Sequence, residues 1–334
     1  MVSTEHIPDT RRRPGLRADL RGAIPDATAA LVVTLVIFGW LYWRVEQGTS
    51  ATIAVMPHLA DAATYWMYWL CQAFGWSALL WAWLTTMLGL IRSSARPNQL
   101  TLSPARVESL HRTTSLTTIG LMFAHAFLFF LELVRDNEDE LGWLGRIGGA
   151  FVDTFVPGGY SSGTGRVAIL LGLLAFYLAI PLGLAYYFRQ RTGARAWRAL
   201  HRFVIVCYVL SVWHTLLYGT NVWFEGWPRT TLWLLQVPVA LLLIARLLAP
   251  ARPLERLRAL RGALGTTRRV AALLIVVASV AGILAVVVTG RDGGRTPGAE
   301  GAPLSVQPWM VWTGTGVLAV AVLTALLVVS RARR

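Results

Sequence analysis

The 334-residue sequence contains no lysine; all 31 basic residues are arginine. Charge of either sign is scarce, at 14% of residues against about 25% in soluble domains. Cysteine is nearly missing too. Cys71 and Cys207 both lie in apolar runs with no CxxC or zinc-like spacing, so they read as buried, inert thiols that say nothing of redox compartment. What the chain has in excess is apolar surface, with 55% hydrophobic residues and a mean hydropathy of +0.53. A soluble core of this length cannot hide that much, so the excess must face lipid. The net charge of +14 and pI of about 11.0 would suggest nucleic acid in a soluble protein. Here the arginines fall in short loops between apolar runs, so the expected partner is the lipid bilayer and no nucleic acid.

Apolar runs of membrane-spanning length predict eight spans: Ala27 to Trp43, Ala63 to Ile91, Thr113 to Val134, Val167 to Phe188, Ala199 to Tyr218, Leu232 to Leu248, Val270 to Thr289 and Pro308 to Ser330. The first follows Arg11, Arg12, Arg13, Arg17 and Arg21 and has no small-residue cleavage site after it, which reads as an uncleaved signal anchor. Positively charged short loops stay on the cytoplasmic side. With the N-terminus inside, 24 of the 31 arginines fall in internal segments, and no span has to be inverted. The expected fold is therefore an all-α, polytopic membrane helix bundle with both termini cytoplasmic, in a bacterial cytoplasmic membrane. It divides into an arginine-rich tail (1–26), a six-helix core (27–249), a basic linker (250–269) with Pro250 and Pro253, and a C-terminal two-helix hairpin with its tail (270–334).

The longest outer loop, from Arg135 to Arg166, opens with the acidic run Asp136, Asn137, Glu138, Asp139, Glu140. That run is either a solvated loop or a patch that draws a cationic substrate or partner. After it, Leu141, Trp143, Leu144, Ile147, Phe151 and Phe155 form an apolar pattern that suits a helix lying on the outer membrane surface.

Ionisable groups at membrane depth are costly, so each intramembrane histidine is a candidate functional residue. His6 lies in the tail and His58 in the first outer loop, both expected to face solvent. The other four come as two pairs, His111 and His125 in the third span and His201 and His214 in the fifth. Spacings of 14 and 13 residues separate the members of a pair by about 20 Å along a helix. Both spans run from inside to outside, so His111 lies level with His201, and His125 with His214. Two histidines facing at one depth can supply both axial ligands of a planar macrocycle, and two such layers would hold two b-type haems stacked across the bilayer. The competing reading is helix-to-helix hydrogen bonding or a proton path through a transporter or scaffold. An all-histidine zinc or copper site is less suitable, because the layers are too far apart to share one ion.

A 14-residue step falls about 40° short of four full turns, so His111 and His125 share a face; a 13-residue step leaves His201 and His214 about 140° apart. The fifth span must bend, tilt or start irregularly at His201. Arg112 and Arg202 each follow an inner histidine, where they could meet haem propionates or could simply be positive-inside flanks. Gly120 would let a ring edge approach the third helix, while Phe123, Tyr208 and Trp213 read as packing.

The histidine pair in HRTTSLTTIGLMFAH, the WRALH start of the fifth span with a histidine 13 residues on, and the LYGTN that follows resemble the ferric reductase-like transmembrane domain. That bis-haem unit is shared by ferric reductases, the membrane part of NADPH oxidases and the haem subunit of the periplasmic methionine sulfoxide reductase system. The resemblance covers roughly Ala27 to Leu248. It implies that His111 and His201 ligate an inner haem, that His125 and His214 ligate an outer one, and that electrons pass outward. Two departures matter. No GxGxxG in a strand-to-helix setting follows the sixth span, so no FAD or NAD site is expected. The donor would be a separate cytoplasmic flavin reductase or a membrane quinol, the latter making this a quinol-linked cytochrome. The position one turn beyond the outer ligand, a second histidine in NADPH oxidases, is Phe129, which argues against superoxide production. The expected acceptor is ferric iron or a periplasmic reductase, and the expected role is an electron-transferring component of an oxidoreductase.

Overall fold

The structure, a computed structural model, describes residues 15–93, 102–137, 140–160, 165–193, 197, 201–224 and 226–248. Among these there is no strand. The helices are α1 (Leu16–Gly22), α2 (Ile24–Glu46), α3 (Ala51–Val55), α4 (Trp66–Ser93), α5 (Pro104–Asp136), α6 (Trp143–Phe155), α7 (Gly165–Leu184), α8 (Arg189–Thr192), α9 (Val204–Tyr218) and α10 (Trp227–Leu248), with short 3-10 turns at Pro57–Ala60 and Thr220–Val222. The first six expected spans coincide with α2, α4, α5, α7, α9 and α10. By length and composition α2, α4 and α5 can cross a membrane, while α7 and α9 carry shorter apolar stretches. The last two expected spans, the linker and most of the arginine-rich tail lie outside the described residues.

Helix ends follow local chemistry more closely than hydropathy. α5 begins nine residues before the expected Thr113, because Ser103 caps it by accepting from Arg106 N (3.2 Å) and Pro104 occupies the first turn. α5 stops where Asn137 adopts a left-handed conformation (φ 43°). α9 begins at Val204, later than the expected Ala199, and His201 stands ahead of it with a turn at residues 202–203.

The core is built from antiparallel pairs. α4 packs most extensively on α5, α7 packs on α9, and α2 lies along α4. Lipid is as apolar as leucine, so helices in it associate through close packing and interhelical hydrogen bonds, each worth roughly 0.6 kcal/mol. Thr34 Oγ1 donates to Ser77 Oγ (2.8 Å) between α2 and α4, and Thr85 and Thr118 hydroxyls meet at 3.2 Å between α4 and α5. Tyr208 donates to Gln236 Oε1 (2.9 Å) between α9 and α10. The opposite face of α2, with Leu31, Val32, Leu35 and Val36, is exposed, as a lipid-facing stripe would be.

At the end of the bundle nearer His125 and His214 the LYGTN segment turns inward. Thr220 Oγ1 lies 2.6 Å from Thr52 Oγ1 of α3, Gln72 of α4 donates to Thr52 Oγ1 (3.3 Å), and Asn221 donates to Gln72 Oε1 (3.0 Å). Before α4, Asp61 accepts from the Thr64 amide and hydroxyl, and those bonds hold its pKa below the usual carboxylate value. α6 forms where the amphipathic pattern predicts a helix, exposing Trp143, Leu144 and Phe151, while Arg146 turns back to the Val134 carbonyl near the end of α5. Of the acidic run, Asp136 and Glu140 are exposed; Glu138 and Asp139 lie outside the described residues.

Candidate functional site

α5 carries His111 and His125, one above the other. The α7–α9 pair presents His201 and His214 opposite them. The ring centroids of His111 and His201 are 5.8 Å apart with planes at 84°, and those of His125 and His214 are 6.0 Å apart at 72°. All four candidate histidines are thus brought together, as two facing pairs at two levels. The 140° mismatch expected for the fifth span is removed by its irregular start, which frees His201 from the register of α9.

Each imidazole is oriented from behind. Nδ1 of His111 lies 3.0 Å from Thr85 O, Nδ1 of His125 lies 2.8 Å from Cys71 O, and Nδ1 of His214 lies 2.8 Å from Ala168 O. His201 Nδ1 is 3.5 Å from Leu182 O. A carbonyl only accepts, so in these bonds Nδ1 carries the proton and Nε2 keeps its lone pair for a metal. Two metal–imidazole bonds of about 2.0 Å plus the two ring radii place centroids roughly 6 Å apart, which both pairs match. Each level offers only two such nitrogens, and among the described residues no three His, Cys, Asp or Glu side chains gather into an ion-binding cluster. The donor set therefore fits a metal whose remaining ligands lie in the plane of a macrocycle, and it does not fit a tetrahedral ion.

His111 and His201 border a cleft also lined by Arg92, Arg112, Gly183, Tyr187 and Trp197. Arg112 lines it already engaged: its Nε is ion-paired with Asp19 (3.0 Å) and its Nη1 with Glu108 (3.2 Å), and Arg92 also pairs with Glu108 (3.3 Å). Tyr187 donates to the same Asp19 carboxylate (2.9 Å). Arg202 is exposed and is not among the residues lining this cleft. Asp19, Glu108 and Arg92 were not singled out in the sequence, because each sits in a charged segment that reads as an ordinary cytoplasmic flank. Gly120, expected to admit a ring edge, has nothing within 4 Å of where a Cβ would sit. Cys71 and Cys207 are buried, and Cys71 Sγ lies 3.4 Å from the His125 carbonyl. His58 is exposed, and His6 lies outside the described residues.

Two levels of facing histidines, in a bundle that is all-helical among the described residues, form an arrangement suited to holding a metal centre between helices. Residues 74–212 match the family model described as ferric reductase like transmembrane component. Over those residues the chain is similar to that family, in agreement with the resemblance seen in its motifs. The match includes His111, His125 and His201 and ends two residues before His214. No curated protein and no solved structure matches the chain.

Proposed function

We propose that the protein passes electrons across the bacterial cytoplasmic membrane through two b-type haems to an acceptor outside. The observation that carries this reading is the pair of imidazole couples at 5.8 and 6.0 Å, stacked on α5 and the α7–α9 pair. His111 and His201 would hold the inner haem, and His125 and His214 the outer one. When bound, each haem supplies a one-electron carrier whose potential depends on its axial ligands and burial. The protein's own contribution is positional: backbone carbonyls fix the tautomer, and helices fix the level of each imidazole. The helix pairs exclude bulk water, and the Asp19–Arg112–Glu108 cluster ties α1 to the inner end.

The arginine distribution supports eight spans with both termini cytoplasmic, with residues 27–249 as the haem-bearing unit and 270–334 as an added hairpin. The cleft beside His111 and His201 gives a cytoplasmic donor, a separate flavin reductase or a quinol, access to the inner level. Ferric iron or a periplasmic reductase takes the electrons on the outer side. Arg112 serves the inner level through its carboxylate partners, and Arg202 lies beside His201 at the same boundary.

The test is a reduced-minus-oxidised spectrum of the purified protein. A b-type α band with about two haems per chain is the expected result. A colourless preparation overturns the reading in favour of a histidine-lined transporter or scaffold. Haems reduced by quinol and not by an added flavin reductase would instead make the protein a quinol-linked b cytochrome.

A further inference from the structure

Behind three of the four imidazoles the same backbone device recurs. In α4 the carbonyls of Cys71 and Thr85 pair, by helix geometry, with the amides of residues 75 and 89; in α7 the carbonyl of Ala168 pairs with the amide of residue 172. These three carbonyls are the ones that take a histidine Nδ1–H. Residues 75, 89 and 172 are all glycine. A Cβ on Gly75 would lie 3.0 Å from His125 Cε1, one on Gly89 would lie 3.1 Å from His111 Cε1, and one on Gly172 would lie 2.8 Å from His214 Nδ1. Glycine weakens a helix interior, so three glycines placed where a ring lies on bare backbone need a reason. In other helices, Gly39 in α2 and Gly120 in α5 meet nothing within 4 Å; within α7, Gly165 and Gly183 would meet Tyr160 and Ile119, not a carbonyl-bonded histidine.

We infer that Gly75, Gly89 and Gly172 are positioning residues for the metal-binding histidines, an inference that rests on the haem reading above. Each opens a notch four residues after a helical carbonyl. One imidazole lies in that notch, donates Nδ1–H to that carbonyl and is held with Nε2 towards its partner across the level. The spacing agrees with this. Gly75 and Gly89 are 14 residues apart on α4, as His111 and His125 are on the antiparallel α5, so one register seats both rings. His201 has no such seat. Its Nδ1 is 3.5 Å from Leu182 O, a Cβ on the adjacent Gly183 would meet Ile119, and its ring stacks on Trp197 at 5.5 Å and 27°. The outer level thus has two seated histidines and the inner level one, so the inner haem is the more weakly held.

The experiment uses the full-length, haem-loaded protein and four variants, G75A, G89A, G172A and the control G39A. Haem loss to excess apomyoglobin is timed, and each haem is followed by its low-spin ferric EPR signal and midpoint potential. In the wild type the inner haem leaves first. G75A and G172A speed loss of the outer haem by on the order of tenfold or more and alter its EPR signal, with the inner signal kept as a reporter of folding; G89A does the same to the inner haem, and G39A matches wild type. If G172A, which has the tightest contact, aggregates, G75A and G89A decide the matter. Wild-type loss rates, potentials and EPR signals in the glycine variants of a two-haem protein overturn the seats alone. A colourless wild-type protein overturns the haem reading and the seats together.

Discussion

His125 and His214 face each other at 6.0 Å with their ring planes crossed at 72°, and the inner pair is crossed further, at 84°. The angle is set by the carbonyl that each Nδ1 addresses, on α4 for one ring and α7 for the other, so it follows from the helix arrangement. Were these imidazoles to hold a haem iron, as proposed, nearly perpendicular ring planes would leave the two π-type d orbitals of its low-spin ferric form close in energy. The haem-loaded protein is therefore expected to show strongly anisotropic low-spin EPR signals with large g-max at both levels. Rhombic spectra of the kind given by parallel imidazoles would show that the rings do not keep these planes.

Removing one ligand separates the levels. On the proposed assignment, His125→Ala would remove an outer ligand and leave the His111–His201 pair intact. One haem per chain is expected, reducible from the cytoplasmic side and unable to pass electrons outward. Two haems retained in H125A would refute its role as a ligand.

Much of this was legible in the residues. The paired histidines announced the two levels, because polar groups in apolar spans stand out and a 14-residue step keeps one helix face. Ser103-Pro104 could have fixed the start of α5, but the hydropathy pattern hid a polar first turn. The seats were harder to see. Gly75 and Gly89 repeat the spacing of His111 and His125 in reverse order, yet glycines in membrane helices usually mark helix packing, and only the pairing of α4 with α5 tells which side chain fills the notch. The Asp19–Arg112 pair joins residues 93 positions apart, a distance over which one sequence carries no signal.

Orientation can be read with thiol labels, since Cys71 and Cys207 are buried and contribute little background. His58, expected in the first outer loop, and Gln190 in α8 are both exposed. H58C is expected to react with a membrane-impermeant maleimide in intact cells, and Q190C only after permeabilisation. The reverse pattern would place the N-terminus outside and would reverse the assignment of donor and acceptor sides.

At the inner end Asp19 is 5% exposed and serves two partners, Arg112 and Tyr187. Deleting it leaves a mostly buried guanidinium with Glu108 alone. Breaking a buried ion pair from one side costs about 3–5 kcal/mol, and the remaining carboxylate places D19A near the lower end of that range. D19N, which keeps an acceptor for Tyr187, should lose less. Thermal melts in detergent check the order wild type, D19N, D19A; equal melting of all three would show that α1 is not tied to the bundle by this carboxylate.

The LYGTN segment makes a different kind of prediction. Thr52 and Thr220 are almost fully buried and their hydroxyls meet at 2.6 Å, so one must donate and the other accept. Valine keeps the shape of threonine and removes the hydroxyl. T220V strands the Thr52 hydroxyl, apart from its bond from Gln72, and should cost about 1–3 kcal/mol. T52V should cost at least as much, because it also strands the Gln72 amide that Asn221 positions. In T52V/T220V the two unsatisfied hydroxyls disappear together, so the double variant should lose less than the sum of the singles, and the remaining loss belongs to Gln72. A double-mutant cycle by thermal or denaturant unfolding measures this coupling. Strictly additive losses would show that α3 and the Thr220–Val222 turn are held by their apolar neighbours, and that the hydroxyl pair contributes nothing to closing the outer end over His125 and His214.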